Sequence, residues 1–392
     1  MKIAIFGGSF NPPHQGHLNS ALFASRQLQP DLFLIIPDHQ PPHKKLEPGS
    51  PSPEERLELC RRCFASVPNV EVSDIEIRRG GKSYTADTIK ALLQRFPDAE
   101  FFLLVGTDML LDLGRWYLAD FIMLHAVIAP FQRFPDELPY IEAKAEELKS
   151  RFGARVEIIR SEPLPAASTD IRAQLRRREG ASLLTDDTYS YIIKNRLYGA
   201  KINLDWLRGK AYDMLKPNRI PHVKGCEAEA VALAERWNAD PEAAAEAAIL
   251  HDCTKKQKLD GQLALCRKYG IVPDEIERKN EKLLHAKTGA ALAREEFGVS
   301  PEVESAICWH TTGKPQMTLL EKIIYMADYI EPTRSFDGVE ALRSLAYEDL
   351  DRAMLLGLNM SIEENMHYGN EVHKNSIAAR DWFRNQIEND GN

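Results

Sequence analysis

Short unbroken apolar runs alternate with amphipathic stretches through the first half of the chain. Lys2–Phe6, Leu32–Ile36, Phe101–Val105, Ala126–Ala129 and Arg155–Ile159 have strand length. Helical spacing begins near His17 and returns over Pro53–Ser66, Ser83–Phe96, Glu137–Phe152 and Ser168–Arg178. Strands that lack polar alternation are buried on both faces, and strands separated by helices pair in parallel. The pattern predicts an α/β unit, a doubly wound, mainly parallel sheet that binds ligands at the carboxyl ends of its strands.

After a seam at Gly199–Asp205 the pattern changes. Apolar positions recur at helical spacing over Trp206–Leu215, Arg219–Trp237, Pro241–His251, Gln262–Tyr269, His285–Phe297, Pro301–His310 and Leu319–Tyr329, and strand signals are nearly absent. Alanine runs such as Ala243–Ala248 favour helix. An all-helical unit of about 190 residues is expected, which divides the chain into 1–198, a linker at 199–205, and 206–392; at roughly 150 residues per domain this length asks for two or three.

Charge and composition sharpen the division. The net charge of −8 is shared unequally, with 25 basic and 26 acidic residues before position 199 and 25 against 32 after it. Neither half has the basic excess of a nucleic-acid binder, so no nucleic-acid partner is expected. No apolar stretch approaches the ~18 residues of a membrane helix, and the apolar start is too short for a signal peptide. Six cysteines in 392 residues do not form a disulfide framework. The reading is a cytoplasmic chain without membrane attachment, and a homo-oligomer is compatible with it.

The loop after the first strand reads Gly7-Gly8-Ser9-Phe10-Asn11-Pro12-Pro13-His14-Gln15-Gly16-His17. Glycines let backbone approach phosphate, and a following helix offers unpaired N–H groups and a positive dipole end. His14 and His17, three apart at a helix start, can share one face; the plain alternative is a turn with two exposed histidines. The segment resembles the GxFxPxHxGH signature of the nucleotidyltransferases. Ser168-Thr169-Asp170-Ile171-Arg172 matches their second motif, [ST]STxxR, with Ser168 expected to cap a helix and Arg172 to clamp phosphate. Within that superfamily, Pro41-Pro42-His43-Lys44, Ser83-Tyr84-Thr85-Ala86-Asp87-Thr88, and Gly106-Thr107-Asp108 followed by Trp116 resemble nicotinate mononucleotide adenylyltransferases over about residues 1–198. The resemblance implies a Rossmann-like fold and transfer of AMP from ATP to nicotinate mononucleotide, giving deamido-NAD and pyrophosphate, with Mg²⁺. His14, His17, Lys44 and Arg172 would act on the phosphates; Gly7, Gly8, Ser9, Phe10, Ser168 and Thr169 would bind nucleotide; Thr85, Asp108 and Trp116 would form the acceptor site. Lys45 is read as solvated. Nicotinamide mononucleotide or phosphopantetheine remain alternative acceptors. A tRNA-binding synthetase fragment shares the HxGH feature but is disfavoured by the absence of a KMSKS-like segment.

The helical half scatters His222, His251-Asp252, His285, His310 and Asp328 along helices otherwise built for burial. Buried polar groups need partners, and imidazole with carboxylate suits Fe, Mn or Zn. The H…HD…D order resembles the HD-domain metallophosphohydrolases, and the surrounding sequence resembles the YqeK-type branch over about residues 203–385. That resemblance implies symmetrical cleavage of diadenosine tetraphosphate into two ADP. His222, His251, Asp252 and Asp328 would hold Fe²⁺ or Mn²⁺. His285 and His310 would hold a second metal or grip phosphate, and Lys255, Arg334 and His373 would contact phosphate or nucleotide. A nucleotide-binding regulator without turnover is the alternative. Cys60 and Cys63 have CxxC spacing but no second pair and are read as structural.

Overall fold

The computed structural model describes residues 1–43 and 45–390. They form two compact units, one over Met1–Lys201 and one that begins at Ile202.

The first unit is built on a five-stranded parallel sheet, β1 (Lys2–Gly8), β2 (Leu32–Pro37), β3 (Val70–Val72), β4 (Glu100–Gly106) and β5 (Ala126–Phe131), in the order β3-β2-β1-β4-β5. Its apolar runs are explained by burial on both faces. Ile3, Ile5, Leu34, Ile36, Leu103 and Val105 pack beneath the helices Thr85–Arg95, Ala119–His125 and Leu138–Phe152. Ala4, Phe6, Phe33, Ile35, Phe102 and Leu104 pack beneath Gln15–Leu28 and Pro53–Cys63. From β1 the chain winds outward to β2 and β3, then returns to β4 on the other side. The order therefore reverses between β1 and β4, where sheets of this kind open a crevice.

One strand expectation is corrected, and one strand was not expected. Arg155–Ile159 does not extend the sheet; it touches β5 through isolated bridges, Ile128 to Val156 and Phe131 to Ile159. Ile128 N donates to Arg155 O, Glu157 N to Ile128 O, and Ile159 N to Pro130 O. The bond missing from that ladder is the one residue 130 would donate, and proline has no N–H. Val70–Val72, in contrast, is a strand of only three residues, too short for its alternation to register.

The second unit is helical. Its helices are Leu204–Met214, Ile220–Arg236, Pro241–Leu250, Leu259–Tyr269, Glu281–Phe297, Pro301–Trp309, Leu319–Ile330, Val339–Glu348, Leu350–His367 and Lys374–Asp390. His251 and His310 each follow directly on the last residue of a buried helix, whereas His285 lies a turn inside its helix rather than at the start. Asp328 belongs to the last turn of Leu319–Ile330. No helix among the described residues is long and apolar enough to cross a membrane.

Candidate active sites

In the first unit a cavity of ≈510 Å³ opens at the carboxyl ends of β1 and β4. This falls in the size range of small-molecule sites. Gly7, Gly8, Ser9, Phe10, His14, His17, Thr85, Asp108, Trp116, Ser168, Thr169 and Arg172 all border it. The two nucleotidyltransferase-like motifs, far apart in sequence, are thereby brought to one space. Lys44 lies outside the described residues. Lys45, expected in solvent, is exposed but also borders the cavity.

His14 and His17 stand at the start of Gln15–Leu28 with ring centroids 3.7 Å apart. The His14 backbone N–H donates to His17 Nδ1 at 3.3 Å. His14 is buried, and neither of its ring nitrogens has a hydrogen-bond partner among the described residues. Burial and the nearby Arg133 cation lower its pKa to about 4, so the ring is neutral at pH 7. A Cβ on Gly16 would stand 2.9 Å from Leu164 O and 3.1 Å from His14 Nδ1, so glycine is required there sterically. Phe10 puts its ring into the core beside Phe6, Phe64 and His17, anchoring the loop.

Ser168 does not cap its helix. It is the first helical residue, Ala167 holds the cap position, and Ser168 Oγ donates to Pro12 O at 2.9 Å. The second motif is thus tied to the first. Arg172 is buried; it donates to Asn11 O at 2.7 Å and to the Glu47 carboxylate from Nη2 at 2.6 Å and Nε at 3.3 Å. Asp108 pairs with Arg133 at 2.8 Å. Trp116 leaves its indole N–H buried and without a partner among the described residues.

A residue the sequence reading passed over holds this site together. Arg56 is fully buried and donates to Ser9 O, Asp38 Oδ1, Asp38 O and His39 O at 2.6–3.1 Å. Asp38 Oδ2 also accepts from Ser9 Oγ at 2.7 Å. The loops after β1 and β2 are therefore fastened to one guanidinium. A signal was present, since Arg56 shares helical spacing with buried Cys60 and Cys63 and so occupies a core-facing position.

In the second unit His222, His251, His285, His310, Asp252 and Asp328 converge. His222 Nε2 lies 3.3 Å from His251 Nε2 and 3.0 Å from Asp328 Oδ1. His285 Nε2 lies 3.1 Å from both His310 Nε2 and Asp252 Oδ1. Asp252 Oδ2 lies 3.4 Å from His251 Nε2. Asp252, fully buried, thus stands between two imidazole pairs.

The opposite ring edges fix the tautomers. His251 Nδ1 meets Ala248 O and His310 Nδ1 meets Ile307 O, both at 2.7 Å, and His222 Nδ1 meets Glu331 Oε1 at 2.9 Å. Those acceptors can only receive a proton, so in the neutral rings the Nε2 lone pairs face inward. Orientation of ligand histidines from behind is characteristic of metal centres. Converging lone pairs and carboxylates call for positive charge. Burial lowers the His251 pKa, but Asp252 and Cys226 outweigh it and the net shift is upward. Burial and neighbouring imidazoles lower His310 to about 3. Burial raises both carboxyls, but the His251 charge and hydrogen bonds from His251 and His285 hold Asp252 well below the carboxylate range, and hydrogen bonding with His222 together with the His251 charge does the same for Asp328. The donor set fits a divalent cation: His222, His251 and Asp328, and likewise His251, Asp252 and His310, each present ligand atoms within 4.8 Å of one another.

Lys255 Nζ lies 3.1 Å from Asp252 Oδ1, and Arg334 donates to Asp328 Oδ1 at 2.8 Å and Asp328 O at 3.0 Å. His373 is placed differently: its Nε2 lies 3.0 Å from Asp274 Oδ2 and 3.8 Å from Glu277 Oε1. Arg219, Gly225 and Glu331 belong to the centre and were not singled out from sequence. A Cβ on Gly225 would collide with the Glu331 carboxylate, so this glycine makes room for the group that orients His222.

Comparison with known proteins follows the same division. Residues 5–174 match the cytidylyltransferase-like family and residues 219–333 the HD domain. A probable nicotinate-nucleotide adenylyltransferase from Gemmatimonas aurantiaca is 37% identical over 203 residues, covering 50% of this chain and 92% of its own length. A symmetrical bis(5'-nucleosyl)-tetraphosphatase from Halalkalibacterium halodurans is 39% identical over 177 residues, covering 44% of this chain and 94% of its own length. A solved structure described as a predicted HD superfamily hydrolase involved in NAD metabolism, from Clostridium acetobutylicum, is 38% identical, covers 46% of this chain and 97% of its own, and aligns with a TM-score of 0.45.

Proposed function

Because the chain belongs both to the nicotinate-nucleotide adenylyltransferase family and to the symmetrical bis(5'-nucleosyl)-tetraphosphatase family, we propose that it is a bifunctional enzyme. Residues 1–198 transfer AMP from ATP to nicotinate mononucleotide, and residues 206–392 cleave diadenosine tetraphosphate symmetrically. The observation that carries the first activity is the close pair of rings His14 and His17, 3.7 Å apart between centroids, facing the cavity that Arg172 also borders.

The acceptor's 5′-phosphate oxygen forms a bond to the α-phosphorus of ATP while the bond to the bridging oxygen breaks and pyrophosphate leaves. This needs no protein nucleophile; positioning and charge stabilisation suffice. Neutral His14 donates a hydrogen bond, and His17 shares its face. Arg172 exchanges Glu47 for a phosphate, Lys44 adds charge, and the strand-end glycines admit the phosphate chain. The unpaired Trp116 indole N–H is a donor for the acceptor, with Thr85 and Asp108 beside it. Mg²⁺, bound with the ATP, would neutralise phosphate oxygens.

The second activity is carried by the inward Nε2 lone pairs around Asp252. We assign His222, His251, Asp252 and Asp328 to a divalent cation, Fe²⁺ or Mn²⁺, with His285 and His310 holding a second ion or a phosphate. When bound, the cation polarises a phosphoryl oxygen and lowers the pKa of water. Lys255 and Arg334 add positive charge beside the ligand carboxylates. His373, with its acidic partners, is left without a role in this reaction. Six free cysteines suit a reducing cytoplasmic setting.

The test incubates full-length protein with nicotinate mononucleotide and Mg-ATP, and separately with diadenosine tetraphosphate and Fe²⁺ or Mn²⁺. Deamido-NAD with pyrophosphate, and ADP as the sole nucleotide product, are expected. Preference for nicotinamide mononucleotide in direct competition would overturn the acceptor. ATP plus AMP would overturn the cleavage position. ADP binding without turnover by metal-loaded protein would make the second unit a regulator.

A further inference from the structure

Arg219 ends the single 3₁₀ turn Pro217–Arg219, immediately before the helix that carries His222. Its Nε donates to Asp252 Oδ2 at 2.5 Å. Its Nη2 stands 3.8 Å from Asp328 Oδ1, too far for a hydrogen bond, and is a buried nitrogen with no hydrogen-bond partner among the described residues. The side chain as a whole keeps a quarter of its surface exposed. The guanidinium thus spans both carboxylates of the centre, spends one donor on Asp252, and holds another in reserve. The other cations differ. Arg334 places two donors on Asp328, and Lys255 is a point charge on Asp252.

A buried N–H without a partner is unfavourable unless a ligand satisfies it. A guanidinium fork matches two oxygens of a phosphate, which an ammonium does not. A divalent cation and Arg219 also compete for the same carboxylate oxygens, so a bound cation frees donor capacity on Arg219. We propose that Arg219 is the phosphate-gripping residue of this centre. In metal-free protein it neutralises Asp252 and Asp328; with metal present it yields them and turns its fork to the phosphate chain of a nucleotide. The proposal rests on the hydrolase reading above and adds a substrate contact to it.

The test uses the full chain with Arg219→Ala and Arg219→Lys, measuring Mn²⁺ content, ADP binding by calorimetry in Mn²⁺, and melting temperature with and without Mn²⁺. Arg219→Ala is expected to keep its Mn²⁺ and to bind ADP at least tenfold more weakly. Its melting temperature should fall in the metal-free state and match wild type when loaded. Arg219→Lys should recover the metal-free melting temperature yet still bind ADP several-fold more weakly, because it keeps the charge and loses the fork. Wild-type ADP binding by either variant, with Mn²⁺ retained, would overturn the proposal alone, and the lysine variant tests it even if the alanine variant fails to fold. Loss of Mn²⁺ from both variants would overturn it in favour of a structural part in the metal site. A wild-type chain that holds Mn²⁺ but neither binds ADP nor cleaves diadenosine tetraphosphate would overturn the hydrolase reading itself, and this proposal with it.

Discussion

Glu47 grips Arg172 at two points, Oε1 to Nη2 at 2.6 Å and Oε2 to Nε at 3.3 Å. A carboxylate here uses the fork that a phosphate would use. Glu47 is about half exposed, so the pair adds little to stability. On the adenylyltransferase proposal its effect falls on ligand binding, because a phosphate at Arg172 would have to displace it. Glu47→Gln should lower the KM for ATP by roughly threefold, the order of an exposed ion pair, with kcat little changed. Steady-state kinetics decide this; a raised KM would show that Glu47 helps to bind ATP rather than competing with it.

The His14 ring has a pKa of about 4, lowered by burial and by Arg133. Between that value and the ordinary 6.5, the unfolded chain takes up a proton that the folded chain refuses. The contribution of His14 to stability is therefore complete above pH 6.5 and lost as the pH falls towards 4. Histidine NMR on the ligand-free chain should find this ring neutral at pH 5.5. Bound triphosphate, being anionic, should raise its pKa. Titration of His14 near 6.5 in free protein would contradict the burial argument.

Gly16→Ala would push a methyl group against Leu164 O and His14 Nδ1. The displaced imidazole should cost adenylyl transfer on the order of a hundredfold, as misplacement of about 1 Å does elsewhere. The metal content of the second unit is expected to stay unchanged. Activity within threefold of wild type would show that the loop relaxes freely.

Gly225→Ala would force the Glu331 carboxylate away from His222. Loss of a group that orients a metal-bound histidine typically costs ten- to a hundredfold in metal affinity, and a fall of that order is expected in a Mn²⁺ titration. An unchanged affinity would mean that Glu331 does not set the His222 tautomer.

His17→Ala should abolish adenylyl transfer and spare hydrolysis of diadenosine tetraphosphate, and Asp252→Ala should do the reverse. Both activities are measured on each purified variant whose circular dichroism matches wild type. Loss of both in a folded variant would overturn the independence of the two centres.

The parallel sheet was legible because β1, β2, β4 and β5 are apolar without interruption, as burial on both faces demands. Val70–Val72 was invisible for want of length, and Arg155–Ile159 looked like a strand because the cause of its failure, Pro130, lies in its neighbour. In the candidate sites, residues carried by motifs could be named in advance. The roles of Arg56, Arg219 and Glu331 could not, although helical spacing puts Arg56 at a core-facing position, since each acts through partners distant in sequence: Arg56 on Ser9, Arg219 on Asp252, and Glu331 on His222. Ser168 shows the opposite limit. Its motif was legible, but its bond to Pro12 O replaced the expected helix cap.

Arg56 has a mechanical consequence. A gate needs leaves that swing separately, yet the loops that leave β1 and β2 are riveted together at Ser9, Asp38 and His39 by one buried side chain. Neither can hinge at its root without tearing charged hydrogen bonds out of the core. The two loop roots therefore act as one piece at the floor of the cavity, and a ligand that enters meets a surface already set before it arrives.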